Sequence, residues 1–166
     1  MIRARDPEEE RLLERLKSRF KQPEPIGPPD TMRRFAVSDR TILESGVSVD
    51  DDTWRIEARE PGSLPLFEVA EPAVDRCVLT YRAELRTSEV EGGAYLEMWC
   101  RLPGKGEFFS KDLDHKAKGT TGWSSYEVPF YLKEGQRPDL IRLNLVLEGA
   151  GTVWMRNVEL LQTPLS

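Results

Sequence analysis

The sequence predicts an all-β protein: an antiparallel β-sandwich of the jelly-roll type, with about eight or nine strands, preceded by one amphipathic helix. Three observations carry that expectation. Apolar and polar residues alternate with a period of two through several segments, which sets one face on a core and turns the other outward. Glycine, proline and aspartate punctuate these segments at short intervals, as hairpin connections require. The only clear helical spacing lies at the start of the chain, and prolines cut it off from the rest.

The helix is expected within residues 1–21. Asp6 is a capping residue, Pro7 fits the first helical position, and Glu8, Glu9 and Glu10 complement the positive end of the helix dipole. Leu12, Leu13, Leu16 and Phe20 form a narrow apolar stripe. A lone helix this short is marginal in water, so the stripe predicts docking or self-association. Residues 22–32 form a linker. Gln22 to Asp30 holds four prolines in nine residues, which favours stiff extended chain.

Residues 33–162 are expected to form the sandwich, with 163–166 as a tail. Phe35-Ala-Val is a short first strand, and Trp54-Arg-Ile-Glu-Ala follows the acidic turn Asp50-Asp51-Asp52. Leu66-Phe-Glu-Val comes after Pro61-Gly62 and Pro65. In the next strand Leu79, Tyr81, Ala83 and Leu85 share a face, opposite Thr80, Arg82, Glu84 and Arg86. Gly92-Gly93 opens a strand in which Ala94, Leu96, Met98, Cys100 and Leu102 oppose Tyr95, Glu97, Trp99 and Arg101. After the Pro103-Gly104 turn comes the short Glu107-Phe-Phe-Ser, then Trp123 to Leu132 with Tyr126, Val128 and Phe130 on one face. Ile141, Leu143, Leu145 and Leu147 alternate with Arg142, Asn144, Val146 and Glu148. Gly149 and Gly151 turn the chain into a last strand, Thr152 to Leu161.

Composition narrows the role. The chain has 166 residues, 39% hydrophobic and 32% charged, enough apolar mass for one core. No run nears the ~20 apolar residues of a membrane-spanning helix. Residues 1–21 carry seven basic against five acidic groups, and the remainder 17 against 24. A formal charge of −5 and aromatic residues mixed with acids argue against a nucleic-acid partner. No apolar leader opens the chain, so as it stands it is expected in the cytoplasm, or outside the cell if cut from a longer secreted protein.

Three stretches resemble a known group. They are Ala94-Tyr-Leu-Glu-Met-Trp-Cys-Arg-Leu, Gly119-Thr-Thr-Gly-Trp-Ser-Ser-Tyr-Glu-Val-Pro-Phe, and Leu143 through Leu160 with its Gly-Ala-Gly-Thr-Val-Trp-Met-Arg-Asn-Val core. Their order resembles the galactose-binding-like jelly rolls, the fold of many carbohydrate-binding modules, and within them an uncharacterised bacterial family with a GTTxW turn. The likeness spans about Trp54 to Leu161 and implies the fold more than the ligand. Related modules often hold a structural calcium through an Asp early in the final motif. Here Arg156-Asn157 stands there, so no cofactor is expected, and Asp50, Asp51 and Asp52 read more simply as a hairpin turn than as calcium ligands.

The resemblance also implies that the strands of 94–102 and 141–148 belong to the sheet carrying the concave face. Sugar recognition needs a flat ring to stack on and fixed donors and acceptors. Tyr95, Glu97, Trp99, Arg101, Arg142, Asn144 and Glu148 would supply both. The function expected is therefore non-catalytic ligand binding, with a glycan as partner. The alternative is an interaction module acting through Leu12, Leu13, Leu16 and Phe20. No catalytic constellation stands out: His115, the single histidine, sits in a polar loop, with Asp112 or Asp114 available to orient it but no nucleophile. Cys77 and Cys100 form no CxxC motif and read as small buried hydrophobes, with a disulfide left open.

Overall fold

Alternation becomes pairing in the computed structural model, which describes residues 6–11 and 24–166. Among the described residues nine strands form: β1 (Asp30–Phe35), β2 (Val47–Asp50), β3 (Thr53–Ala58), β4 (Gly62–Ala70), β5 (Cys77–Leu102), β6 (Gly106–Lys111), β7 (Ala117–Leu132), β8 (Leu140–Leu147) and β9 (Gly151–Pro164). Every pairing is antiparallel. The expected break at Gly92-Gly93 does not separate two strands. β5 runs through it and changes partners there. Residues 77–88 pair with β9 and 77–94 with β7, whereas 94–101 pair with β8 and 97–102 with β6.

This switch makes a sandwich of one hydrogen-bonded network. Sheet I has the order β2-β3-β9-β5-β7, with β1 beside β3 on the same edge of β9. Sheet II has the order β4-β8-β5-β6. Between them lie Leu79, Tyr81, Ala83, Leu85, Val153, Met155, Val158 and Leu160 from sheet I. Leu96, Met98, Cys100, Ile141, Leu143, Leu145 and Leu147 meet them from sheet II. These are the alternate positions that the period of two assigns to one face. Trp54 packs edge-on against Phe67, and Phe67 stacks on Phe35 at 4.2 Å, closing one end of the core.

Three local features follow from residue chemistry. Asp50-Asp51-Asp52 is the β2–β3 hairpin turn, with Asp51 at φ 56° and Thr53 Oγ1 donating to Asp50 O at 2.7 Å. The β8–β9 turn lies hard against the crossing of β5: a Cβ on Gly149 would stand 2.7 Å from Glu91 Cβ, and one on Gly151 2.7 Å from Val90 Cα. The Gly119-Thr-Thr motif ties the start of β7 to that crossing. Thr87 Oγ1 donates to Gly119 O at 3.0 Å and lies 2.9 Å from Thr121 Oγ1, and Thr120 Oγ1 accepts from Glu89 N at 3.0 Å.

Strand bounds differ from expectation at both ends of the domain. β1 begins at Asp30, which finds Gln162 as partner, and ends at Phe35; β9 continues to Pro164 because Thr163 and Pro164 pair with Val78 and Cys77 of β5. Beyond it Ile26 N donates to Pro164 O at 2.8 Å and Ser166 N to Glu24 O at 2.9 Å, so residues 24–26 lie along 164–166. Residues 7–11 are helical, and Asp6 caps them through its carboxylate to Glu8 N at 3.1 Å. Leu12, Leu13, Leu16 and Phe20 lie outside the described residues. Among the described residues no helix is long and apolar enough to cross a membrane.

Candidate ligand-binding face

The outer face of sheet II is a grid set by strand register. Four rows run across β4, β8, β5 and β6. The first holds Ser63, Val146 and Tyr95, and the second Pro65, Asn144, Glu97 and Lys111. The third holds Glu68, Arg142, Trp99 and Phe109, and the fourth Ala70, Leu140, Arg101 and Glu107. Six of the seven residues expected to form a site lie on this face, as alternation requires. Glu148 lies past the end of β8 and reaches the same corner only through Lys116, whose Nζ is 3.1 Å from its carboxylate and 5.7 Å from the Tyr95 ring centroid.

Position on the face does not mean exposure. Glu97 is only 3% exposed, Asn144 5% and Tyr95 7%, so these three lie beneath the surface of the face. Glu97 is the buried hub. Its Oε1 accepts from Ser63 Oγ at 2.7 Å, Trp99 Nε1 at 2.7 Å and Asn144 Nδ2 at 2.9 Å, while Lys111 Nζ stands 3.5 Å from Oε2. The Trp99 indole turns along β5 to make its bond, and Asn144 stands directly across on β8. Burial pushes the Glu97 carboxyl up, but the bonds from Asn144, Ser63 and Trp99 outweigh it and hold it below the usual glutamate range.

What remains exposed is a ring pair framed by ion pairs. Trp99 is half-buried, and its ring lies 5.0 Å from that of Phe109, which is 54% exposed. Arg142 Nε meets Glu68 at 3.0 Å on one side. On the other, Arg101 bonds Asp139 through Nε at 2.8 Å and Nη2 at 3.2 Å. That fork holds the Asp139 carboxyl below its usual range. Phe109, Lys111, Ser63, Glu68 and Asp139 were not expected at the site. Alternation within β6 is too short to say which of Phe108 and Phe109 faces outward, and no spacing rule sets four strands in register.

The other candidate chemistry is quickly placed. His115 is exposed, its Nδ1 3.9 Å from Asp112 and its ring 4.7 Å from Tyr126. Cys77 and Cys100 are free and buried, and burial raises their thiols to about 11 and about 12. Asn157 gives its amide to Glu84, and among the described residues no three His, Cys, Asp or Glu side chains are grouped to hold a metal. That donor set does not fit calcium, which takes six to eight oxygens. A cleft of about 1240 Å³ opens elsewhere, at the end of the sandwich beside Glu57, Arg59, Glu60, Glu89 and Glu91, and no aromatic ring lines it. It therefore offers no stacking platform, and the ring pair on sheet II remains the better candidate despite being flatter.

Comparison with known proteins agrees with this architecture. No family model and no curated protein matches the sequence. Among solved structures the chain is similar to the CBM22-1 xylan-binding domain of Paenibacillus barcinonensis Xyn10C, at 10% identity and a TM-score of 0.57, over 85% of this chain and 99% of that one. It is also similar to a CBM4 structure, at 11% identity and a TM-score of 0.52, over 71% of this chain and 76% of that one. At these identities the likeness shows the fold alone, a jelly-roll β-sandwich shared with these two modules.

Proposed function

We propose that the protein is a non-catalytic glycan-binding module and that the outer face of sheet II is its binding surface. The observation that carries this is the Trp99–Phe109 pair: one ring fixed by a bond to a buried carboxylate, the other open to solvent, both in one row of the sheet. A pyranose ring stacks on such a platform, and the flanking Arg142–Glu68 and Arg101–Asp139 pairs offer donors and acceptors to its hydroxyls. These charges, and that of Lys111 beside Glu97, are already paired across the sheet. The face therefore suits a neutral glycan rather than an acidic one. Glu97 and Asn144 act beneath the surface as positioning residues, which limits the side-chain ordering that binding must supply.

The test is retention of the full chain in native gels containing a neutral polysaccharide: mixed-linkage β-glucan, arabinoxylan or galactomannan. At least one gel is expected to slow the wild-type protein, and Phe109→Ala is expected to run as in an empty gel. If all three leave the wild type unretarded, or if Phe109→Ala is held as strongly, the proposal fails.

A further inference from the structure

The outer face of sheet I is built differently. Arg55 on β3, Trp154 on β9 and Arg86 on β5 lie in one row, with Arg55 and Arg86 each opposite Trp154. On β7 a bulge sets Gly122 and Trp123 opposite Arg86, because Leu85 pairs with Ser124 while Thr87 pairs with Thr121. Bulges re-aim side chains, and this one brings a second indole to the row. The Arg86 guanidinium carbon lies 4.3 Å from the Trp154 ring centroid and 5.5 Å from that of Trp123. Arg156 stands 4.0 Å from Trp123 and Arg55 5.9 Å from Trp154, so guanidinium groups and rings alternate across four strands.

The acids divide these arginines into two kinds. Arg55 pairs with Glu57, and Arg156 with Glu84 at 3.2 Å. Further along, Arg82 and Arg34 share Glu159 at 3.1 and 3.2 Å. Arg86 alone in this row has no carboxylate within 4 Å among the described residues, and its buried Nε has no hydrogen-bond partner. Its charge is held by two π-faces and is left for a ligand to neutralise, through the terminal amino groups that point away from Nε.

We infer that this row is a second ligand site, specific for an acidic sugar: a pyranose that stacks on Trp123 or Trp154 and sets a carboxylate or sulfate on Arg86. The occupant follows from charge and shape together. An unpaired planar cation calls for an anion that accepts two parallel bonds, and half-buried indoles on both sides call for a ring. The stacked arrangement is rigid before binding, which spares the ordering cost of a long side chain. The site does not rest on the proposal for sheet II, whose charges are paired and whose rings lie on the opposite face of the sandwich.

The experiment uses the full chain in native gels containing polygalacturonate, dextran sulfate or a neutral β-glucan. A protein of net charge −5 is repelled overall by an acidic polymer, so retention there reports a local site. At least one acidic gel is expected to retard the wild type, and the gel that does so identifies the acid group as carboxylate or sulfate. Arg86→Gln is expected to weaken that retention at least tenfold. Arg86→Lys, which keeps the charge without the planar fork, is expected to weaken it almost as much, and Phe109→Ala is expected to leave it unchanged. Should Arg86→Gln not fold, quenching of indole fluorescence by the same polymer in a Trp99→Phe background serves instead, since Trp123 and Trp154 then dominate the response. No retention in either acidic gel, retention unaffected by Arg86→Gln, or no quenching overturns the inference. Loss of neutral-glycan binding alone bears only on sheet II.

Discussion

The two outer faces of the sandwich use the same ingredients, arginine, tryptophan and glutamate, in opposite arrangements. On sheet II a carboxylate is buried and the charges above it are matched. Glu97 gathers Ser63, Trp99, Asn144 and Lys111, and the arginines beyond are paired with Glu68 and Asp139. On sheet I a cation occupies the centre. Arg86 lies between Trp123 and Trp154 with no acid of its own among the described residues. The difference teaches that charge balance within a row, more than residue type, decides what a sheet face offers a ligand. One face presents a neutral stacking platform on a stiff polar base, and the other presents an unmatched charge between rings.

The comparison breaks first at Glu97. Glu97→Ala leaves Asn144 and the Trp99 indole without their buried acceptor, and is expected to cost about 3 kcal/mol, measured by denaturant unfolding. Acid should have a related effect. Because the folded carboxyl is held below its ordinary value of 4.5, its stabilisation is complete above that value and disappears as pH falls through the lower folded pKa. Wild-type protein is expected to lose stability over that acid range, and Glu97→Gln to show a flatter acid limb.

Next comes Trp99. Its half-buried ring contributes both packing and the bond to Glu97, so Trp99→Ala is expected to cost about 2 kcal/mol and to remove neutral-glycan binding. On the other face Trp154→Ala removes a cation–π partner of Arg86 and is expected to cost about 1 kcal/mol while sparing neutral-glycan binding. If both tryptophan variants lose the same ligand, the two faces do not act separately. The smallest effect is expected from His115→Ala: the ring is exposed in a loop, and thermal melts should agree with wild type within the spread of ordinary surface changes, about 0.5 kcal/mol.

Most of the fold was legible in the alternation, because each core residue is part of a period of two that a single slip would turn outward. β2 was not, since Val47 is its only partly buried residue and an exposed edge strand leaves no apolar pattern. Gly92-Gly93 reads as the opening of a new strand because glycine interrupts an alternating pattern; here one strand crosses from one sheet to the other, with register shifts against β7 at the crossing. For the site, alternation assigned Tyr95, Glu97, Trp99, Arg101, Arg142 and Asn144 to one face but carried no information about depth. Depth came from pairing Asn144 with Glu97 across strands 47 residues apart. The Arg86 row needed three cross-strand registers and a bulge, none of which a single sequence encodes in its spacing.

The central claim is that the sheet II face binds through exposed rings rather than merely stabilising the sandwich. Phe109 tests it most directly, because it is 54% exposed and contributes little to the core. The measurement is titration calorimetry of wild type and Phe109→Ala with soluble oligosaccharides of the neutral polysaccharide that retards the wild type, alongside thermal melts of both. The account predicts unchanged melting within about 0.5 kcal/mol and binding weakened at least tenfold. Equal affinity for the two proteins with equal melting would contradict it.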